Sequence, residues 1–153
     1  MPDPTIRRLH PFDRRRIEAR YRRLDPDSLR ARFGGILGAD GLTAHIDRLN
    51  REDALLFGAF PDARLRGLAE LCRLPDSMPR ACEAAFSVEP DWQNRGLGDA
   101  LLSRVLAAAQ NRGIRTLYMI CLPENRRMQH LARKHEAELT LLPGEVAARL
   151  ETP

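Results

Sequence analysis

Apolar positions along the chain switch between helical and strand spacing, and each switch marks a group of elements. Residues 5–9 read as a short strand, and His10-Pro11-Phe12-Asp13 supplies a turn and an N-cap for a helix carrying Ile17, Tyr21 and Leu24 on one face. Asp25 caps a second helix: Asp25-Pro26-Asp27-Ser28 puts proline at the first helical position and acids in the first turn, and Gly34-Gly35 ends it. A third short helix covers residues 43–49. The period then shortens. Residues 53–60, 64–74 and 80–89 are strand-length segments divided by Pro61-Asp62 and Pro75-Asp76-Ser77-Met78-Pro79, which predicts an antiparallel meander. Beyond Gly98 the stripe Leu101, Leu102, Val105, Leu106 and Ala109 is helical again, until Gly113 stops it. Residues 114–122 form a strand of buried-type side chains, and a last helix begins near Asn125 with Met128, Leu131 and Ala132 inward. Residues 138–142 and 145–150 are two strands across Pro143-Gly144. The order is α+β. With no internal repeat, linker or low-complexity segment, it predicts a single domain over residues 1–153.

Composition adds limits. At 43% apolar and 30% charged residues the chain has the makings of an ordinary core. No run approaches eighteen apolar residues and no apolar region follows the charged start, so no membrane partner is expected and the location expected is cytoplasmic. Cys72, Cys82 and Cys121 form neither a CxxC nor a pattern with histidines, so reduced, structural thiols are expected, with no disulfide framework, zinc site or other metal. The net charge of +4 is local: residues 1–34 hold ten arginines against five acids. Such a patch suits an acidic partner, yet its helical spacing equally fits a solvated face. Nucleic acid is not an expected partner, since no zinc finger, RNP signature or basic-aromatic interleaving is present.

The segment richest in chemistry runs from Phe86-Ser87-Val88 through Gln93-Asn94-Arg95-Gly96-Leu97-Gly98-Asp99, where a strand leads through a glycine loop straight into an amphipathic helix. Unpaired N–H groups and the positive dipole end make such a helix start an anion site, and glycine lets a phosphate approach the backbone. Arg95 adds charge at the same place. A pyrophosphate suits the loop, which is too short for a Walker A motif and lacks the third glycine of a dinucleotide fold.

The segment resembles motif A of the GNAT superfamily of acetyl-CoA-dependent N-acetyltransferases, Gln/Arg-x-x-Gly-x-Gly/Ala, met here by Gln93, Gly96 and Gly98 after a strand ending in Val88. Asn125-Arg126-Arg127-Met128-Gln129-His130-Leu131-Ala132-Arg133-Lys134 is similar to the family's Asn-x-x-Ala-x-x-Leu-Tyr-x-Lys, and the order of elements matches over almost the whole chain. The fold this implies is a mixed, mostly antiparallel twisted sheet flanked by helices and splayed between its fourth and fifth strands. A second stretch, Leu24-Asp25-Pro26-Asp27-Ser28-Leu29-Arg30-Ala31-Arg32-Phe33, resembles the Leu-Ser-x-Glu-Ser-x-x-x-Arg-Phe of bacterial protein lysine acetyltransferases. Those enzymes carry a glutamate on the fourth strand, and Glu83 stands at that position.

The resemblance implies roles. The backbone of Phe86, Ser87 and Val88 would pair with the pantetheine arm of acetyl-CoA; Asn94, Arg95, Gly96, Leu97, Gly98 and Asp99 would cradle the pyrophosphate; Asn125 would bond the cofactor arm or fix the cleft mouth; and Glu83 would be the general base. An amine with pKa near 10 must lose a proton before it attacks a thioester, so one carboxylate, acting directly or through water, is the minimum equipment. The tetrahedral oxyanion would meet a backbone N–H near Val88. Two departures leave the general acid unassigned. Ala132 replaces the usual tyrosine and Ile120 replaces an acid found in many members, with Tyr118, His130 and bulk water as candidates. The expected activity is acetyl transfer from acetyl-CoA to a primary amine, a protein lysine or a small amine, by direct attack in a ternary complex. The alternatives are a non-catalytic acyl-CoA-binding or interaction module, and an anionic-polymer binder using the arginine-rich start. The exposed face of the meander is open to a second copy in a homodimer.

Overall fold

The computed structural model describes residues 5–33, 38–51, 54–74 and 80–152. Along them lie β1 (Ile6–Leu9), α1 (Arg14–Arg22), α2 (Pro26–Phe33), α3 (Ala39–Arg51), β2 (Leu55–Ala59), β3 (Gly67–Arg73), β4 (Ala81–Val88), α4 (Leu97–Asn111), β5 (Thr116–Cys121), α5 (Arg126–Lys134), β6 (Glu138–Leu142) and β7 (Glu145–Glu151). Every element expected from the pattern is present. The third helix is longer than the 43–49 expected, because Ala39 and Asp40 open it earlier. The Gly34-Gly35 stop, the residue 53 strand start and the proline-flanked turn at 75–79 lie outside the described residues.

The strands form one seven-stranded sheet in the order β1-β2-β3-β4-β5-β7-β6. All neighbours are antiparallel except β4 and β5, which are parallel and matched at three residue pairs only: Ala81–Thr116, Cys82–Leu117 and Glu83–Tyr118. Beyond Glu83 the two strands part. β4 stays paired with β3 as far as Val88–Gly67, and β5 with β7 as far as Cys121–Val146.

Strand alternation sends neighbouring side chains to opposite faces, and each face has its own core. On one, Leu101, Leu102 and Val105 of α4 pack fully buried against Phe57, Ala69, Leu71, Ala84 and Phe86. Their spacing of three and four residues is why this stretch is a helix, and each leucine removed from water there stabilises the fold by about 1.5–3 kcal/mol. Gly113, at φ +69°, follows the helix end in a conformation that favours glycine. On the other face Ile17 and Tyr21 of α1 and Leu42, Ile46 and Leu49 of α3 cover Leu9, Leu56 and Leu68.

Polar residues refine two expectations. Asp25 does cap α2, accepting from the Ser28 N–H at 3.2 Å. Asp13 stands before α1 but its carboxylate does not cap it. It is fully buried and accepts from Arg7 at 2.9 and 3.1 Å, from Arg16 at 3.0 Å and from the His10 N–H, because a two-pronged guanidinium outbids a single amide. The arginine excess is likewise largely paired within the chain, mostly at the surface. Arg7 and Arg16 pair with Asp13, Arg14 with Glu18 and Asp47, Arg23 with Glu89, Arg30 with Glu124 and Arg32 with Glu70, while Arg20 is fully buried.

The Arg7 hydrogen bond holds the Asp13 carboxyl well below its ordinary value against the opposing effect of burial. A depressed carboxylate contributes stability that is present above the unfolded pKa near 4 and lost as pH falls through the folded value. Thermal melting between pH 7 and pH 3 should therefore show stability declining below about pH 4, with a shallower decline in Asp13→Asn. Equal slopes in the two proteins would rule Asp13 out as a contributor.

Candidate active site

The Glu89 N–H donates to the Arg66 carbonyl, so strand alternation turns the backbone of Ser87 toward β3 and that of Phe86 and Val88 toward the gap left by β5. Ser87, one of the expected backbone partners, thus turns its backbone to β3 while still bordering the cleft described below. Its carbonyl and hydroxyl each accept from buried Arg20 at 2.7 Å, an anchor that the sequence reading missed. Burial pulls the Arg20 guanidinium down to about 10.

The loop after β4 is shaped by side chains. Gln93 donates its amide to the Val88 carbonyl at 2.9 Å, and Asn94 takes a left-handed φ of +61°. Gly96, at φ +83°, is the N-cap of α4 and offers no side chain to cap it. The first-turn N–H groups of α4, at Leu97, Gly98 and Asp99, therefore lack intrahelical partners and face the loop with the positive end of the helix. A Cβ built on Gly96 would meet nothing within 4 Å, so this backbone borders open space. Asp99 is neutralised where it stands: Lys134 at 2.9 Å and His135 at 2.6 Å pull its pKa down and tie α5 to α4.

These groups line a cleft of about 1090 Å³, the size of a site for an extended ligand. Phe86, Ser87, Val88, Asn94, Gly96, Leu97, Gly98, Asp99 and Asn125 all border it. Arg95 does not: its guanidinium stacks 4.7 Å from the centre of the Trp92 ring, because an exposed cation beside an indole gains by lying on it. Arg30, Arg126, Arg127 and Lys134, to which the sequence assigned no ligand role, border it too. Asn125 caps α5, its Oδ1 accepting from the Met128 N–H at 3.2 Å, which leaves its amide N–H groups for a ligand.

A second cleft, of about 1080 Å³, holds Glu83. This carboxylate is half-buried on β4 between Cys72 and Tyr118 in register, and makes no ion pair among the described residues. The two clefts share one wall of six residues: Ala31, Arg32, Phe86, Leu122, Asn125 and Met128. A ligand lying along the first cleft can therefore meet a ligand from the second at the end of the strand ladder. Beside this wall is a buried polar cluster. Glu70 of β3, 2% exposed, accepts from the Tyr21 hydroxyl at 2.5 Å and from His45 Nε2 at 3.0 Å, and is paired with Arg32. Burial opposes ionisation of Glu70, but Arg32 and His45 outweigh it and hold the carboxyl low. Burial raises the thiols of Cys82 and Cys121, as suits structural cysteines. Among the described residues no three of His, Cys, Asp and Glu converge as a metal site, and no helix is long and apolar enough to cross a membrane.

No curated protein sequence matches this one. Among solved structures, the fold is similar to the GNAT domain of S. lividans PAT, with 23% identity, a TM-score of 0.83, and coverage of 97% of this chain and 90% of that one. It is also similar to yncA from Salmonella typhimurium, solved with acetyl-CoA as its cofactor, at 17% identity and a TM-score of 0.76 over 99% and 95% of the two chains. A ribosomal-protein-alanine N-acetyltransferase from Brucella melitensis matches at 15% identity and a TM-score of 0.75 over 96% and 99%. Residues 20–136, most of the chain and both clefts' shared wall, match the acetyltransferase (GNAT) family, and to that family the chain belongs.

Proposed function

We propose that this chain, as a single cytoplasmic acetyltransferase domain, transfers an acetyl group from acetyl-CoA to a primary amine by direct attack in a ternary complex. The observation that carries this reading is the wall shared by the two clefts, which lets a thioester and an amine meet beside Glu83 without a covalent enzyme intermediate. Asn94, Gly96, Leu97, Gly98 and Asp99 hold the pyrophosphate on the helix start, and Phe86 and Val88 offer backbone to the pantetheine amides. Glu83 takes the proton that the attacking ammonium must lose. A protein lysine is the favoured acceptor, on the resemblance of the 24–33 stretch to bacterial protein lysine acetyltransferases and the likeness to S. lividans PAT.

Calorimetric titration with acetyl-CoA, and separately with CoA, tests the site. Micromolar binding is expected. In Gly96→Val a β-branched residue must hold a left-handed φ and place its methyls where the phosphates lie, so affinity should fall at least tenfold, about 1.4 kcal/mol. Absence of binding to the unaltered protein would sink the acetyl-CoA reading.

A further inference from the structure

We infer that Arg32 stabilises the sulfur that leaves when the acetyl group is transferred, in place of a general acid. This rests on the acetyl-CoA reading above. Of the six residues on the wall common to both clefts, Arg32 is the only one that carries a charge. Its side chain is 10% exposed, its Nη2 donates to Glu70, and the ring of Phe33 lies 4.5 Å from the guanidinium carbon. A guanidinium has five N–H donors in a planar fork. Glu70 holds it from the β3 side, with His45 Nε2 3.4 Å from Nη2, and the Arg32 side chain borders the junction of the clefts.

The chemistry there calls for a cation. The attacking ammonium first gives one proton to Glu83, which passes it to solvent. The free amine nitrogen then bonds to the thioester carbonyl carbon, the C–S bond breaks with its electron pair left on sulfur, and Glu83 accepts the second proton, which the nitrogen sheds as the amide forms. A leaving thiolate needs either a proton or a positive charge beside it. At the two positions where related sequences carry an acid, this chain has Ala132, fully buried, and Ile120, half-exposed. A fixed guanidinium lowers thiol pKa values and stabilises charge as it develops, with no proton transfer in the step. The thiolate takes its proton from solvent after release. Glu70 acts as a positioning residue: it keeps Arg32 in place, and the pairing raises the guanidinium pKa although burial alone would lower it. This also accounts for a buried ion pair that stability alone does not call for.

The titratable groups around Arg32 are Glu70, Tyr21 and His45 on β3, α1 and α3, Asp27 on α2 itself, and Glu83 and Glu124 on the cleft walls. They are the same in every variant below except where stated, so differences report on Arg32. The test is a pH titration of the thiolate ultraviolet absorbance of CoA bound to the full chain. In the unaltered protein the acid dissociation constant of the bound thiol should exceed that of free CoA at least tenfold. Arg32→Lys should keep most of that increase, and Arg32→Gln should abolish it. Because Arg32→Gln leaves Glu70 without its partner, Arg32→Gln/Glu70→Gln removes both charges and should also titrate like free CoA. A bound thiol that titrates alike in the unaltered protein and in either glutamine variant overturns the inference, including the case where kcat falls because Arg32 serves the oxyanion. Failure of CoA to bind the unaltered protein removes the acetyl-CoA reading and this inference with it; binding with an unmoved thiol removes this inference alone.

Discussion

Glu83→Gln is expected to lower kcat by at least 10²-fold, about 2.7 kcal/mol of barrier, while the affinity for acetyl-CoA stays within twofold. The separation follows from position. Glu83 borders the second cleft and not the one that holds the glycine loop, so the change should be felt by the amine and not by the cofactor. Glutamine keeps the size of the side chain in mid-strand, where Cys72 and Tyr118 flank it, and removes only the basicity. The remaining activity should rise with pH as the free amine fraction grows, since the variant must wait for an amine that has already lost its proton. Steady-state rates with a lysine peptide, paired with calorimetric affinities, check both halves. An unchanged kcat would take the role of base away from Glu83.

The second large effect is on stability. Glu70→Ala should destabilise the protein by about 3–5 kcal/mol, because it leaves Arg32 buried without a counter-charge and the Tyr21 hydroxyl and His45 without an acceptor. For a chain of 153 residues this corresponds to a drop in Tm on the order of 10 °C. Glu70→Leu combined with Arg32→Leu should recover much of the loss, since exchanging both partners of a buried pair for apolar volume is often neutral or better. Chemical denaturation of the three proteins distinguishes the cases. A single variant within about 1 kcal/mol of the original would mean that water or a rearranged side chain replaces the carboxylate.

What could be read in advance divides by distance along the chain. The strand, glycine loop and helix around Val88, Gly96 and Leu101 carry local signals: turn residues, a helix start and apolar spacing at three and four. Glu83 could be placed only by counting back from Val88 against a family pattern, because a lone acid in a strand looks the same whether it faces solvent or a substrate. The Arg20–Ser87 bond joins residues 67 apart, and the Glu70 contacts to Arg32 and His45 span 38 and 25. No spacing rule reaches across such gaps, and arginine in a helical pattern reads first as a solvated face. Arg95 is the reverse case. It lies one residue from Gly96, so sequence proximity suggested the phosphate cradle, whereas the indole three residues back holds it.

The three-pair join between β4 and β5 divides the chain as well as the sheet. Strands β1 to β4 come from residues 6–88 and β5 to β7 from 116–151, so each half-sheet is built from its own continuous stretch of sequence. Within the halves, β2–β3, β3–β4 and β6–β7 link strands that follow one another along the chain, the kind of contact that closes early and at low entropic cost during folding, whereas β1–β2 and β5–β7 close longer loops. α4 packs on β2, β3 and β4, and α5 on β6 and β7, so each half also carries its own helix, with Asp99 bridging the two. The gap between β4 and β5 is therefore the seam between two separately laddered parts, held together by three residue pairs, the Asp99 cluster, the Arg30–Glu124 pair and the core that Leu117, Met119 and Leu150 share with α4.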